Sequence, residues 1–428
     1  MKRPIMILTA TLAAATMLAG CSTGGSTSSA SAKQAKGPIT IWYSNNPDEV
    51  TWGKATVASW NAANPKEKVT GQEIPAGTTS EAVIGAAITA GTTPCLIYNT
   101  APVAVPAFQK QGGLVDLSTF PDGAKYIKAR SGATAAQYAS ADGDFYQMPW
   151  KSNPVMVFYN KAIMKKAGID PANPPLATYD QFLATSRAIV TSGAAKYAVY
   201  PSPASDYFQS WFDFYAMYAA ESGGKQLLEN GKSTFTNKAG TSVANFWRTV
   251  YKEKLAGNEP YTGDAFADGI TGMALAGPWA IKSYKSLDWG VAPIPTSAGT
   301  TAAKTHTFAD SKNIGMYSSC KATGTAWDFL KYSTSKTADG ALLTTTGQMP
   351  LRTNLPTTYP AYFKANPTYT MFADAASRTV EVPNISNSVE AWQAFRDAWT
   401  KSVIFGEGDV TTSLKGAATA IDKLAAQK

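Results

Sequence analysis

A single histidine, His306, stands among the 428 residues. It lies in a Thr-rich stretch and is expected to be exposed. One such side chain offers neither a buried base for a triad nor a multi-His metal site. There is no Gly-x-Ser-x-Gly elbow and no phosphate-binding loop. Charge is also scarce: Asp, Glu, Lys and Arg make up only 16% of the chain. The basic residues are scattered, with no block of five or more, so the net charge of +8 reads as solubility and not as a nucleic-acid footprint. Long apolar runs are absent beyond the N-terminus, so nothing further along predicts a membrane span. Aromatic residues, by contrast, are plentiful, with 11 Trp and 20 Tyr. An aromatic-rich, charge-poor chain suits a neutral polar ligand.

The first residues have the three parts of an export signal. Lys2 and Arg3 give the basic segment, Ile5 to Ala19 the apolar one, and Ala19-Gly20 the small residues before cleavage. The sequence Leu18-Ala19-Gly20-Cys21 resembles the lipobox of bacterial lipoproteins, in which the cysteine sulfur is acylated. That resemblance makes residues 1–20 a signal peptide and Cys21 the lipidated N-terminus. Losing Lys2 and Arg3 would lower the net charge from +8 to +6. Residues 21–37 are rich in Ser, Gly, Thr and Ala without apolar periodicity, and read as a flexible tether. Two or more acyl chains anchor stably where one is marginal. The two remaining cysteines, Cys95 and Cys320, form an even pair that an exported protein can oxidise; two buried free thiols are the alternative.

The body exceeds what one core usually organises, so two lobes are expected. Ile39 to Tyr43 is a strand and Asn45 to Asp48 a turn. Thr51 to Asn61 is a helix, Lys68 to Ile74 a strand, Ser80 to Ala90 a helix, Cys95 to Tyr98 a strand and Val103 to Gln111 a helix. This alternation predicts an α/β lobe with a largely parallel sheet. Ligands bind beyond the carboxyl ends of such strands, which places Tyr43, Ser44, Asn45, Asn99 and Thr100 at a site mouth.

Several segments then resemble family 1 extracellular solute-binding proteins, the maltose-binding-protein-like sugar receptors of ABC importers. They are Trp60-Asn61-Ala62-Ala63-Asn64-Pro65, Ala90-Gly91-Thr92-Thr93-Pro94 and Gly113-Leu114-Val115-Asp116-Leu117 in the first lobe. Asp142 to Trp150 is similar to the crossover, and Phe158 to Lys161 with Thr178 to Phe182 to the start of the second lobe. Gly272 to Trp279 is similar to a Gly-rich strand ending in a ligand-facing Trp. Ala326 to Lys331 and Gly347 to Arg352 complete the order. Each motif is weak alone; their common order is not.

The resemblance implies a two-lobe periplasmic-binding-protein-like α/β fold with three interlobe crossovers and a ligand cleft between lobes. Residues 38–151 and 312–365 would form the N-lobe, 155–308 and 368–428 the C-lobe. Where the family has Pro-Asp, this chain has Pro94-Cys95, close in that fold to the end of the strand Ile314 to Ser319. A Cys95–Cys320 disulfide is therefore implied. So are an oligosaccharide ligand, ABC permease partners, hinge closure and a monomer. No catalysis, cofactor, metal or nucleic acid is implied. A lipid anchor beside the permease further suggests the outer face of a single-membrane, Gram-positive cell.

A sugar needs flat aromatic platforms with amide and carboxylate partners. Trp279, with Gly277 before it, is the first candidate by motif. Of Trp42 and Tyr43 only one can face the cleft, and Tyr43 is favoured. Trp150 reads equally as core and cleft. Trp211 and Tyr215, four apart, would share a helix face. Polar candidates are Asn45, Asp48, Glu49, Asn99, Lys151, Asn153 and Asp310. Trp392, Phe395 and Trp399 form one helix stripe expected in the core. Two other readings remain: a surface glycoside hydrolase with two carboxylates, or the same receptor type for a polyamine or another solute.

Overall fold

The computed structural model describes residues 35–44, 46–77 and 79–427. The lipidation candidate Cys21 and the site candidate Asn45 lie outside them. No described helix is long and apolar enough to cross a membrane.

Two sheets organise the chain. The first contains β1 (Ile39–Tyr43), β2 (Val69–Glu73), β3 (Leu96–Thr100), β4 (Met148–Lys151) and β11 (Lys312–Met316), in the order β2-β1-β3-β11-β4. β1 runs parallel to β2 and β3, whereas β11 is antiparallel to β3 and β4. The second sheet has β5 (Met156–Asn160) between β8 (Met273–Ala276) and β9 (Trp289–Ala292), antiparallel to both. A hairpin, β6 (Leu228–Glu229) and β7 (Lys232–Ser233), and a two-stranded parallel ribbon, β10 (Thr307–Phe308) and β12 (Thr379–Val380), complete the strands.

Helices cover both faces of the first sheet, so its inner strands β1, β3 and β11 are largely buried on both sides, whereas the edge strand β2 is mostly exposed. Trp42 packs with Ile84, Ala87 and Phe108 on one face. Tyr43 points to the other, its ring lying over Gly53 and Gly71, where a Cβ would come within 2.9 and 2.4 Å of it. The helix after β1 starts at Pro47, four residues earlier than the periodicity predicts. Asn46 caps it by accepting from the Asp48 and Glu49 amides, and Pro47 sits where a missing N–H costs nothing. The apparent turn is a helix start.

The two sheets are joined by segments lying side by side. Ser152 and Asn153 between β4 and β5 bond to the Met349 and Ala309 carbonyls, and Leu351 bonds back to Trp150. The third passage comes earlier than expected. Leu342 packs in the core of the first sheet, but Leu343, Leu355 and Phe363 pack with Phe158 and Phe372 against the second. Adjacent leucines on one helix point opposite ways, so residues 355–365 belong with the second core. Trp392, Phe395 and Trp399 are fully buried, as their stripe predicts. Cys95 and Cys320, 225 residues apart, form a disulfide between the start of β3 and the turn after β11.

Candidate functional site

Between the lobes lies a cleft of about 490 Å³, at the carboxyl ends of β1 and β3. Its polar wall begins one residue past β1. The Ser44 hydroxyl donates to Glu49 Oε2 at 2.7 Å, and Gln348 Nε2 donates to Glu49 Oε1 at 2.6 Å. The Lys151 ammonium pairs with the same carboxylate and lies 4.7 Å above the Trp150 ring. Asn153 Nδ2 in turn donates to Gln348 Oε1 at 3.2 Å. Glu49 and Lys151 are 3% and 1% exposed, and such a pair is tolerated only when its oxygens and protons are all satisfied. Burial pushes the Glu49 carboxyl up, but the Lys151 charge and the bonds from Lys151, Gln348 and Ser44 outweigh it and hold it below its ordinary value. The carboxylate also sits in the first turn of its helix, where the backbone amides favour negative charge.

Asn99 and Asp310 line the same cleft in left-handed backbone, with φ of 67° and 36°. Asn and Asp accept that region more readily than other side chains because they bond locally. Asp310 Oδ1 accepts from Lys312 Nζ at 2.9 Å. Burial pushes the Lys312 ammonium down, but the Asp310 charge and hydrogen bond outweigh it and keep it above its ordinary value. Glu81, in the first turn of the helix Ser80–Ala90, faces the Tyr207 hydroxyl across the gap.

The opposite wall is aromatic: Tyr207, Phe208, Trp211, Phe212 and Trp279. Trp279 follows β8 on a one-turn 3-10 helix, Pro278–Ala280, and is half-buried with Phe212 edge-on at 5.9 Å. Gly277 is what lets that ring fold back: a Cβ there would lie 1.9 Å from its nearest ring carbon. Trp211 packs against Phe308 at 5.4 Å, with the Lys312 ammonium 5.7 Å from its ring centre.

The structure thus brings Trp279, Gly277, Trp211, Asn99, Lys151, Asn153 and Asp310 to one cleft or its wall, with Glu49 beside them and Asp48 at its rim. Four aromatic expectations are corrected. Trp42 and Tyr43 are 8% and 4% exposed and lie within a sheet covered on both faces; the chain reaches the cleft only at Ser44. Trp150 is fully buried against Trp52 and Tyr98, with ring centres 5.3 and 5.2 Å apart. Tyr215 is fully buried: it shares a face with Trp211, both rings packing against Phe308 and Trp392, but only Trp211 reaches the cleft. Residues Trp211–Tyr215 form a π-turn, and the Tyr215 hydroxyl donates to the Glu381 carbonyl at 2.7 Å. His306 is half-buried, not exposed, against the backbone of Gly224. Ser44 lines the cleft, as its place beyond the first strand predicts, whereas Asn46, Glu81, Tyr207, Phe208, Phe212, Lys312 and Gln348 were not picked out from the sequence. Only the aromatic density of residues 207–215 could have marked any of them.

A larger hollow of about 960 Å³ lies at the edge strand β9 of the second sheet. It has no wall from the first lobe. Among the described residues no cluster of three or more His, Cys, Asp or Glu side chains could hold a metal.

The chain has relatives among known proteins. It is 26% identical over 331 residues to the diacetylchitobiose binding protein DasA of Streptomyces coelicolor, covering 73% of this chain and 72% of that one. Its fold matches the cyclic alpha-maltosyl-1,6-maltose binding protein of Arthrobacter globiformis with a TM-score of 0.78 at 19% identity, over 92% of this chain and all of that one. It also matches UgpB of Mycobacterium tuberculosis, solved with glycerophosphocholine, with a TM-score of 0.77 at 19% identity over 91% and 98% of the two chains. Residues 55–371 match the family described as bacterial extracellular solute-binding protein. On that match, over most of its length, the chain belongs to the bacterial extracellular solute-binding proteins.

Proposed function

We propose that this chain is an oligosaccharide receptor that closes its two lobes around the ligand and delivers it to an ABC permease. One observation carries the reading: an aromatic wall of Tyr207, Phe208, Trp211, Phe212 and Trp279 faces a wall of amides and carboxylates across the cleft. Aromatic faces suit the C–H side of a pyranose, and amides and carboxylates suit its hydroxyls. Four of the five charges that line the cleft are engaged in pairs, Lys151 with Glu49 and Lys312 with Asp310. Neither ammonium is left over for a phosphate, and the one carboxylate outside the pairs, Glu81, faces the Tyr207 hydroxyl and is too little for a polyamine. The names of the DasA and Arthrobacter relatives, both binding proteins for sugars, point the same way.

Catalysis is not part of this reading. A hydrolase needs a carboxyl that is protonated near neutral pH, and Glu49 is held in the opposite direction. Attachment through lipid on Cys21, to the outer face of a single-membrane Gram-positive cell, and a monomeric receptor complete the proposal. Titration calorimetry should show saturable binding of at least one member of an oligosaccharide panel, without release of shorter sugars. Binding of glycerophosphodiesters or polyamines alone would overturn the ligand class, and turnover would overturn the receptor. A Cys21→Ser chain recovered from the medium, not the membrane, would support the anchor.

A further inference from the structure

Lys282 reaches across the rim of the cleft. It lies just beyond the turn that carries Trp279, on the second lobe, and its Nζ is 2.9 Å from Asp48 Oδ1 on the first. The same ammonium donates to the Thr345 carbonyl. Asp48 belongs to the first turn of the helix Pro47–Ala63, and Thr345 to the last turn of the helix Lys336–Thr346. The second helix packs on the first, where Trp52 Nε1 donates to the Ala338 carbonyl at 3.2 Å. Carbonyls at a helix C-terminus attract cations, so one lysine is held by an acid and a helix end together. Thr345 lies at the third passage, just past Leu343, so it is the Asp48 contact that spans the gap between the lobes.

We propose that Lys282 is a closing clasp. It is engaged only when the lobes meet, and it holds the Trp279 turn against the first lobe, so it prolongs ligand residence without touching ligand. This rests on the receptor reading for its ligand but not for the motion itself. Both side chains remain 40–45% exposed, so the clasp is screened by salt and easily broken. That is what a receptor that must reopen requires.

The test compares the parent, Lys282→Gln, Asp48→Asn and the exchanged pair Lys282→Asp with Asp48→Lys. Stopped-flow tryptophan fluorescence with the sugar that binds in the panel gives the release rate. The single variants should release about two- to fivefold faster. Raising salt from about 0.01 M to about 1 M, which shortens the screening length from about 30 to about 3 Å, should speed the parent and leave Lys282→Gln unchanged. The exchanged pair should recover parental release, which a role in folding the turn alone would not produce. Parental release and salt dependence in Lys282→Gln would overturn the clasp. If no sugar binds the parent, the receptor reading fails separately, and scattering of the free protein still decides. A radius of gyration that grows with salt in the parent but not in Lys282→Gln supports the clasp; identical responses overturn it.

Discussion

Gly277→Ala tests how the site holds its principal aromatic. The backbone at Gly277 is extended, with φ −117° and ψ −173°, so alanine fits it without strain. The added methyl, however, would fall 1.9, 2.5 and 2.6 Å from three ring carbons of Trp279. Contacts that short force the indole out of its place against Phe212. Losing one aromatic platform removes an interaction of about 0.5–1.5 kcal/mol beyond its area, and the area itself adds about as much again. A total of about 1–3 kcal/mol raises Kd about 5- to 150-fold. The backbone gains about 0.4–1 kcal/mol through the unfolded chain, which offsets part of the packing that the displaced Trp279 ring loses against the two cores it touches. Calorimetry should therefore show weaker sugar binding at an unchanged or modestly lower melting temperature. Adding Gly277→Ala to Trp279→Ala should cost nothing more, since both act on one ring. Parental affinity in Gly277→Ala, or additive losses in the double variant, would refute the account.

Three further outcomes concern stability. Replacing Cys95 and Cys320 by serine opens a loop of 225 residues, and denaturant melts should show a loss of about 2–4 kcal/mol; a loss well under 1 kcal/mol would mean that the bridge adds little. Burial pushes the Glu381 carboxyl up to about 7, against the Val382 amide, Ser311 and Lys312, which pull it down, while Asp310 adds to the rise. Its contribution is fully present below the ordinary glutamate range and fades as pH rises through about 7, so the parent should lose up to about 3 kcal/mol between pH 4.5 and 8 that Glu381→Gln keeps. Melting curves of equal pH slope in the two proteins would exclude it. Lys151→Met leaves Glu49 charged and buried and should cost about 3–5 kcal/mol in urea, most of it recovered by adding Glu49→Leu; equal losses in the single and double variants would contradict a paired charge.

Much of this architecture is legible in the sequence, and the failures share a cause. Strand and helix alternation marks β1 to β3, and the helix Ser80–Ala90 begins and ends where it is predicted. The ordered motifs place Trp279 and Gly277. Periodicity, however, describes only an element's own faces. It cannot say that both faces of β1 are covered, which removes Trp42 and Tyr43 from the cleft. Nor does it show that the face shared by Trp211 and Tyr215 runs into the core, so that only Trp211 reaches the cleft. Asp310, Lys312 and Gln348 meet Glu49 and Lys151 only because two chain passages more than 150 residues apart return to one seam. Such meetings are properties of the folded topology, and no local pattern encodes them.

The Cys95–Cys320 bridge has a mechanical meaning. Everything from residue 155 to 308, with β5 to β10, is an excursion whose two ends leave and re-enter the first lobe between those cysteines. That part of the second lobe is thus slung from a sutured frame, while the rest of the lobe follows the third passage after Leu342. If it frays or is nicked by a protease within the excursion, the two halves of the first sheet stay stitched at β3 and β11. If the lobes close as proposed, the frame acts as the fixed anvil and the aromatic wall as the part that swings.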